Sequence, residues 1–277
     1  MPGKEDGLLS RPAPLVKGEL TLGTAGRFWD WIGPPPGRDA LFDDSLTILS
    51  SLLAGTAVVA GAATFLPHFD WTFVAWVLAP LAWIYLLTLR GLRAYPHDRF
   101  GPANVVTAFR AALVCLVAAT FFRFQGLAHE QAMLWCLVAT VVVTLALDGV
   151  DGYLARRFRQ ESAFGARFDM EVDAFFILIL SGAALFLHKA GPWVLLIGLM
   201  RYGFVAAGWF VPRLNGPLFP SLRRKAVCVL QIACLCAILM PIVAPPLSSA
   251  IAAAALGGLV YSFAVDIRFL LSWTTTG

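Results

Sequence analysis

Charged side chains are scarce in this 277-residue chain. They make up 14% of the residues, whereas 59% are hydrophobic, and the mean hydropathy is +0.75. A soluble domain carries about a quarter charged residues, so this composition excludes a disordered chain and a typical cytosolic enzyme. The formal net charge is only +4. Most Lys and Arg residues lie between the apolar runs, which argues against a nucleic-acid-binding surface.

Cysteine and the familiar soluble-enzyme motifs are also sparse or missing. The five cysteines lie inside apolar segments without the spacing of zinc ligands, which favours packing roles. The sequence has no nucleophile elbow, Walker loop or dinucleotide fingerprint. Residues 1–45 lack the apolar stretch of a signal peptide, and we therefore expect a cytoplasmic or interfacial segment there. The cysteines are Cys115, Cys136, Cys228, Cys234 and Cys236.

Long apolar runs are abundant instead. Eight of them have about the 20 residues that a helix needs to cross the hydrocarbon core, which predicts an all-α integral membrane protein. Lys and Arg concentrate in loops 93–102, 155–165 and 213–223, so the positive-inside rule places these loops and both termini in the cytoplasm, with the protein multi-pass in the plasma (inner) membrane. The predicted spans are 46–66, 71–92, 103–124, 131–154, 166–188, 191–212, 224–244 and 247–271.

Four carboxylates flank one of these cytoplasmic loops. Asp148 and Asp151 are three residues apart at the end of one predicted helix, and Asp169 and Asp173 are four apart at the start of the next. Both spacings put the two carboxylates on one helix face. Because four like charges repel each other and resist desolvation, we expect hard cations there, Mg²⁺ or Mn²⁺, together with a phosphate ligand. Two ions would suit in-line displacement at phosphorus.

Small residues accompany the carboxylates. Gly152 and Ala155 share the face of the first Asp pair, Gly165 lies one turn before the second pair, and Arg156 is placed to meet phosphate oxygens. Close helix packing is the alternative explanation for each small residue alone. Interleaved with four aspartates, they favour a site for a bulky ligand.

These residues resemble the signature of the CDP-alcohol phosphatidyltransferase family. The signature reads Asp, two residues, Asp-Gly, two residues, Ala-Arg, a gap, Gly, three residues, Asp, three residues, Asp. The resemblance implies a six-helix membrane bundle, here preceded by two extra N-terminal transmembrane helices. It divides the chain into an N-terminal segment 1–45, an accessory helix pair 46–93 and a catalytic core 94–277. The matching residues are Asp148, Asp151, Gly152, Ala155, Arg156, Gly165, Asp169 and Asp173.

The resemblance also implies a reaction. The hydroxyl of a small alcohol or lipid acceptor attacks the phosphorus next to the lipid of CDP-diacylglycerol, and CMP leaves. All four aspartates would be metal ligands, with Asp173 also the general base. Membrane lipids and a second copy of the chain, as a homodimer, are the partners it implies. The expected nucleotide and diphosphate contacts are Asn104, Thr107, Asp148, Gly152, Ala155, Arg156 and Gly165.

The sequence leaves the acceptor open. Arg201 lies inside a predicted span, where a charge is a functional candidate by default, and Arg110 and Lys225 are further candidates for acceptor binding. Phosphatidylglycerophosphate synthases resemble this chain but carry Arg-Glu where it has Arg201-Tyr202. Glycerol 3-phosphate is therefore one acceptor among several.

Three other functions compete with this interpretation. A CDP-choline or CDP-ethanolamine phosphotransferase would use the same signature. A UbiA-type prenyltransferase would need Asn before the first Asp and a further Asp at the last position, where this chain has Leu147 and Ala155. An ion-coupled transporter would carry its charges at the bilayer midplane, whereas these aspartates lie at span ends.

Overall fold

The computed structural model describes residues 39–124, 126–127, 130–215 and 222–272, and every regular element in these ranges is helical. The predicted all-α class is thus confirmed. Of the predicted N-terminal segment, residues 1–38 lie outside the described residues, and 39–45 belong to the first helix. The helices are α1 Asp39–Ala63, α2 Trp71–Gly91, α3 Pro102–Arg123, α4 Gln131–Arg157, α5 Ala163–Phe186, α6 Leu195–Phe210, α7 Leu222–Leu239 and α8 Leu247–Ser272, with 3₁₀ turns at Leu92–Ala94, Pro192–Val194 and Pro212–Asn215.

Six of these helices are long and apolar enough to cross a membrane: α1, α2, α3, α4, α6 and α8. The chain is therefore a multi-pass membrane protein. Helices α5 and α7 match the other two predicted spans in position, but each carries a group of charged residues near its N-terminus. The charged residues are Arg167, Asp169, Glu171 and Asp173 in α5 and Arg223, Arg224 and Lys225 in α7.

Helix α3 lies at the centre of the bundle and packs against α1, α2, α4 and α5. Its buried surface is rich in alanine, which lets neighbouring backbones approach closely. Because α3 is surrounded, polar side chains in its first turns face other helices rather than lipid. The buried alanines of α3 are Ala108, Ala111, Ala112, Ala118 and Ala119.

The start of α3 is fixed by a Gly-Pro pair. Gly101 has φ +80°, a conformation that costs glycine little and other residues more, and Pro102 occupies the first turn, where its missing N–H needs no partner. A Cβ at position 101 would lie 2.5 Å from Oε1 of Gln160. The loop after α4 therefore packs directly on the start of α3.

Helices α4 and α5 form an antiparallel hairpin joined by residues 158–162. The hydroxyl of Ser162 caps α5 by accepting a 3.0 Å hydrogen bond from the backbone N–H of Gly165. This geometry brings the end of α4, the start of α5 and the start of α3 to the same end of the bundle.

The opposite end of the bundle has its own polar contact. Arg123, at the end of α3, lies 3.1 Å from a carboxylate oxygen of Asp70 and 2.6 Å from the hydroxyl of Thr72. A hydrogen bond from the Thr72 hydroxyl lowers the pKa of Asp70 below its usual value, and Arg123 acts in the same direction. The contact fixes the start of α2 against the end of α3.

Candidate active site

Arg110 of α3 lies where the four predicted carboxylates meet. Its side chain is completely buried. One guanidinium nitrogen, Nη1, is 2.7 Å from Asp151 Oδ2 and 2.6 Å from Asp169 Oδ1. The other, Nη2, is 2.9 Å from Asp148 Oδ1 and 2.5 Å from Asp173 Oδ1. Helices α3, α4 and α5 therefore each contribute to one cluster, which we call the aspartate cluster: Arg110, Asp148, Asp151, Asp169 and Asp173.

The charges of the aspartate cluster do not balance. Four carboxylates face one guanidinium, and Arg110 Nε is buried with no hydrogen-bond partner among the described residues. The exposed fraction of the carboxylate side chains ranges from 5% for Asp151 to 37% for Asp169. Since uncompensated charge is costly away from water, this excess of carboxylate charge favours the binding of cations. Asp169 is the most exposed of the four carboxylates.

The donor set of the aspartate cluster fits a hard divalent cation. Asp148, Asp169 and Asp173 each offer an oxygen atom, and these atoms lie within 4.8 Å of one another. Mg²⁺ binds oxygen at about 2.1 Å, so its opposing ligands are about 4.2 Å apart. Small rotations of these three side chains would bring their oxygens to that separation. Asp151 is outside this group of three and is held by Arg110 and Thr107.

Helix α3 also carries two of the predicted nucleotide contacts, Asn104 and Thr107. The Thr107 hydroxyl lies 3.1 Å from Asp151 Oδ2, and the Asn104 amide nitrogen donates a 2.5 Å hydrogen bond to the carbonyl oxygen of Phe100. Both side chains are buried. Thr107 thus contacts the aspartate cluster one turn before Arg110, and Asn104 lies two turns before Arg110.

The glycines of the signature have different surroundings. A Cβ at Gly165 would lie only 3.0 Å from Asn104 Oδ1, so this glycine permits close packing of α5 on α3. A Cβ at Gly152 would meet nothing nearer than an Arg156 nitrogen at 3.5 Å. Gly152 therefore keeps open space beside the cluster, next to a half-buried Ala155 and an exposed Arg156.

Cys228 of α7 is a neighbour that the sequence analysis missed. Its sulfur lies 3.6 Å from Asp173 Oδ2, the carboxylate oxygen that Arg110 does not contact. The sequence analysis gave all five cysteines packing roles. No local pattern could have found this contact, because it joins two helices at residues 55 positions apart.

The proposed acceptor residues have separate locations. Arg201 of α6 lies 2.6 Å from a carboxylate oxygen of Glu171 on α5, and its Nη1 lies 3.5 Å from the Met170 sulfur. Lys225 is exposed in the first turn of α7. Arg110 is surrounded by the four carboxylates of the aspartate cluster. Acceptor binding by these three residues stays a prediction.

Comparison with known proteins points to the same region. The model of the family described as CDP-alcohol phosphatidyltransferase matches residues 100–264, which include every candidate site residue. A relative from Cereibacter sphaeroides, named CDP-diacylglycerol–glycerol-3-phosphate 3-phosphatidyltransferase, is 30% identical over 93 residues, which are 34% of this chain and 40% of the relative. The chain thus spans about two fifths of the length of that curated relative. No solved structure is significantly similar to the chain.

Proposed function

The chain belongs to the CDP-alcohol phosphatidyltransferase family, and on that premise we propose that this membrane enzyme transfers a phosphatidyl group from CDP-diacylglycerol to an alcohol and releases CMP. The convergence of Asp148, Asp151, Asp169 and Asp173 around one point at one end of the bundle carries the proposal. An excess of carboxylate charge there suits a substrate whose diphosphate arrives with divalent cations.

The four aspartates would hold Mg²⁺ or Mn²⁺, two ions in our proposal. A metal held there would supply positive charge to the diphosphate and would make CMP a better leaving group. Arg110 contacts all four carboxylates, and we therefore assign it to holding them together rather than to the acceptor. Its pairing keeps like charges within one site when α3, α4 and α5 assemble.

Asp173 is the proposed general base. The hydroxyl oxygen of the acceptor forms a bond to the phosphorus that carries diacylglycerol, and the bond from that phosphorus to the bridging oxygen breaks. The hydroxyl proton passes to the Asp173 carboxylate, and the electron pair of the broken bond leaves with CMP. Because this side chain is 13% exposed, bulk water has little access to it.

The nucleotide would bind between α3 and the hairpin of α4 and α5. Gly152 and Ala155 leave room beside the cluster, and the exposed Arg156 guanidinium reaches phosphate oxygens with charge-assisted hydrogen bonds. Asn104 and Thr107 border the same space from α3, and Gly165 lets α5 approach Asn104. We propose that this end of the bundle faces the cytoplasm.

Glycerol 3-phosphate is the acceptor that we propose first. The name of the Cereibacter sphaeroides relative supports it, and an anionic acceptor suits Arg201 and Lys225 as cationic partners. Arg201 is held by Glu171, so an acceptor phosphate would exchange with that carboxylate.

Purified protein in detergent tests the proposal. We expect CMP release from CDP-diacylglycerol with Mg²⁺ or Mn²⁺, loss of CMP release in EDTA, and radiolabelled phosphatidylglycerol phosphate as the product with glycerol 3-phosphate. Parallel reactions contain serine, inositol, inositol phosphate, choline or phosphatidylglycerol. A different labelled lipid would identify a different acceptor and would still support phosphatidyl transfer. If no acceptor gave CMP, the proposed function would be refuted. Asp169→Ala serves as the inactive reference.

A further inference from the structure

The accessory helices make two polar contacts with α3 beside the proposed donor site. Asp44 of α1 accepts a 3.0 Å hydrogen bond through Oδ2 from the backbone N–H of Phe100. The Tyr85 hydroxyl of α2 donates a 2.9 Å hydrogen bond to the carbonyl oxygen of Ala108. These contacts bracket the turns of α3 that carry Asn104 and Thr107. Helices α1 and α2 lie outside the matched residues 100–264.

Phe100 links Asp44 to the site. It is fully buried and precedes the helix, so its N–H has no acceptor within α3. Its carbonyl oxygen accepts hydrogen bonds from the Asn104 amide at 2.5 Å and from the Tyr95 hydroxyl at 3.1 Å. A shift of Phe100 therefore reorients the Asn104 side chain, which lies against Gly165 of α5.

We propose that Asp44 is a positioning residue for the CDP-linked donor. It fixes Phe100, and through Phe100 it sets the orientation of Asn104 at the nucleotide. This assignment gives the accessory helix pair a role in catalysis, and it rests on the proposed function, because Asn104 contacts the donor only if CDP-diacylglycerol binds there.

Steady-state kinetics of the full chain tests the assignment with matched variants. Asp44→Ala removes the acceptor of the Phe100 N–H, and we expect the KM for CDP-diacylglycerol to rise about tenfold, the loss of one well-made hydrogen bond. The kcat and the KM for the alcohol should stay within about twofold of wild type, well below that tenfold effect. Asp44→Asn keeps an acceptor oxygen and should restore the donor KM. Asp43→Ala changes the neighbouring, exposed carboxylate and is the control.

The outcomes separate a positioning role from a merely structural one. A structural defect lowers the active fraction, and hence the apparent kcat, without changing the donor KM. Should Asp44→Ala not fold, Asp44→Glu moves the carboxylate by one methylene and should still raise the donor KM. The assignment would be overturned if Asp44→Ala, or Asp44→Glu where the alanine variant does not fold, had the same donor KM as Asp43→Ala. A wild-type protein that releases no CMP would instead refute the proposed function, and the assignment with it.

Discussion

Arg110 partly offsets the charge of the four carboxylates that meet between three helices. Its two terminal nitrogens contact Asp148, Asp151, Asp169 and Asp173 at 2.5–2.9 Å. Lysine would place one compact charge there, whereas the planar guanidinium presents several donors in fixed directions. The arginine therefore contributes geometry as well as charge.

Arg110→Gln should destabilise the metal-free protein. Arg110 is the only fully buried arginine in the described part of the chain, and its removal leaves the carboxylates unpaired. We expect the free energy of unfolding to fall by about 3 kcal/mol. This is the low end of the range for buried pairs, because Asp148 and Asp169 are partly exposed. Divalent cations bound by the cluster should offset much of this loss. The measurement is the Tm in detergent, in EDTA and in Mn²⁺.

A second ion pair provides the control for Arg110→Gln. Arg223 pairs with Asp266 between α7 and α8, so Arg223→Gln should lower the Tm equally with and without Mn²⁺. If Arg110→Gln also lowered the Tm by the same amount in EDTA and in Mn²⁺, the cluster would not be a cation site.

Asp173→Asn should abolish turnover and leave donor binding largely intact. The substitution keeps the shape of the side chain but removes the group that accepts the hydroxyl proton, and loss of a general base costs about 100-fold or more in kcat. Turnover is followed as CMP release, and donor binding as the rise in Tm with CDP-diacylglycerol and Mn²⁺. Asp266→Asn is the matched control and should retain turnover. Wild-type turnover in Asp173→Asn would remove the base assignment.

The sequence predicted that the four aspartates meet, as the structure has them, but it did not place their partners. Spacings of three and four residues are local, so they predict the shared face of Asp148 and Asp151 without knowledge of the fold. The position of Arg110 between the helices and the contact of Cys228 with Asp173 depend on how α3 and α7 pack. Hydropathy and spacing contain little information about that packing.

The contact between α5 and α6 depends on a glycine. A Cβ at Gly198 would lie 2.5 Å from the Cα of Leu178, a backbone atom that cannot rotate away. Arg201 follows Gly198 by about one turn and pairs with Glu171 of α5. The register of this helix pair therefore sets where the Arg201 charge lies.

Gly198→Ala should force α6 away from α5 and destabilise the protein by about 1–3 kcal/mol, as overpacked sites do. Gly203→Ala, in the same helix, has nothing within 4 Å of the new Cβ and should be neutral or stabilising by up to about 1 kcal/mol through helix propensity. Thermal unfolding of both variants in detergent measures the difference. Equal Tm values for Gly198→Ala and Gly203→Ala would show that α6 can move away from α5 without a loss of stability.

Helix positions were predicted well and helix ends less well. The first span was predicted from residue 46, but α1 begins at Asp39. Hydropathy detects only the apolar part of a helix, whereas the first turns of α1 carry Asp39, Asp43 and Asp44. The same limit hid the contact between Asp44 and Phe100, which joins residues 56 positions apart.

The bundle has two chemically different ends. The aspartate cluster lies at the end formed by the starts of α3 and α5 and the end of α4. The described arginines Arg93, Arg99, Arg156 and Arg157 adjoin this end, because they precede α3 or follow α4, while Asp70 and Arg123 occupy the opposite one. In the proposed reaction the diphosphate head group of the donor and the hydroxyl of the alcohol would meet at the cluster, so both would have to reach it from the same face of the membrane.

Labelling from the two sides of the membrane tests the proposed orientation. In a cysteine-free background, Asp98→Cys marks the cluster end and Glu130→Cys marks the opposite end, and both native residues are exposed. A membrane-impermeant maleimide added to intact cells should label position 130 and leave position 98 unlabelled until the membrane is opened, because the positive-inside rule retains the arginine-rich loops in the cytoplasm. The reverse pattern would put the cluster on the outer face, away from cytoplasmic nucleotides. Labelling of both positions in intact cells would mean mixed insertion, and positive charge would then not determine the orientation of this chain.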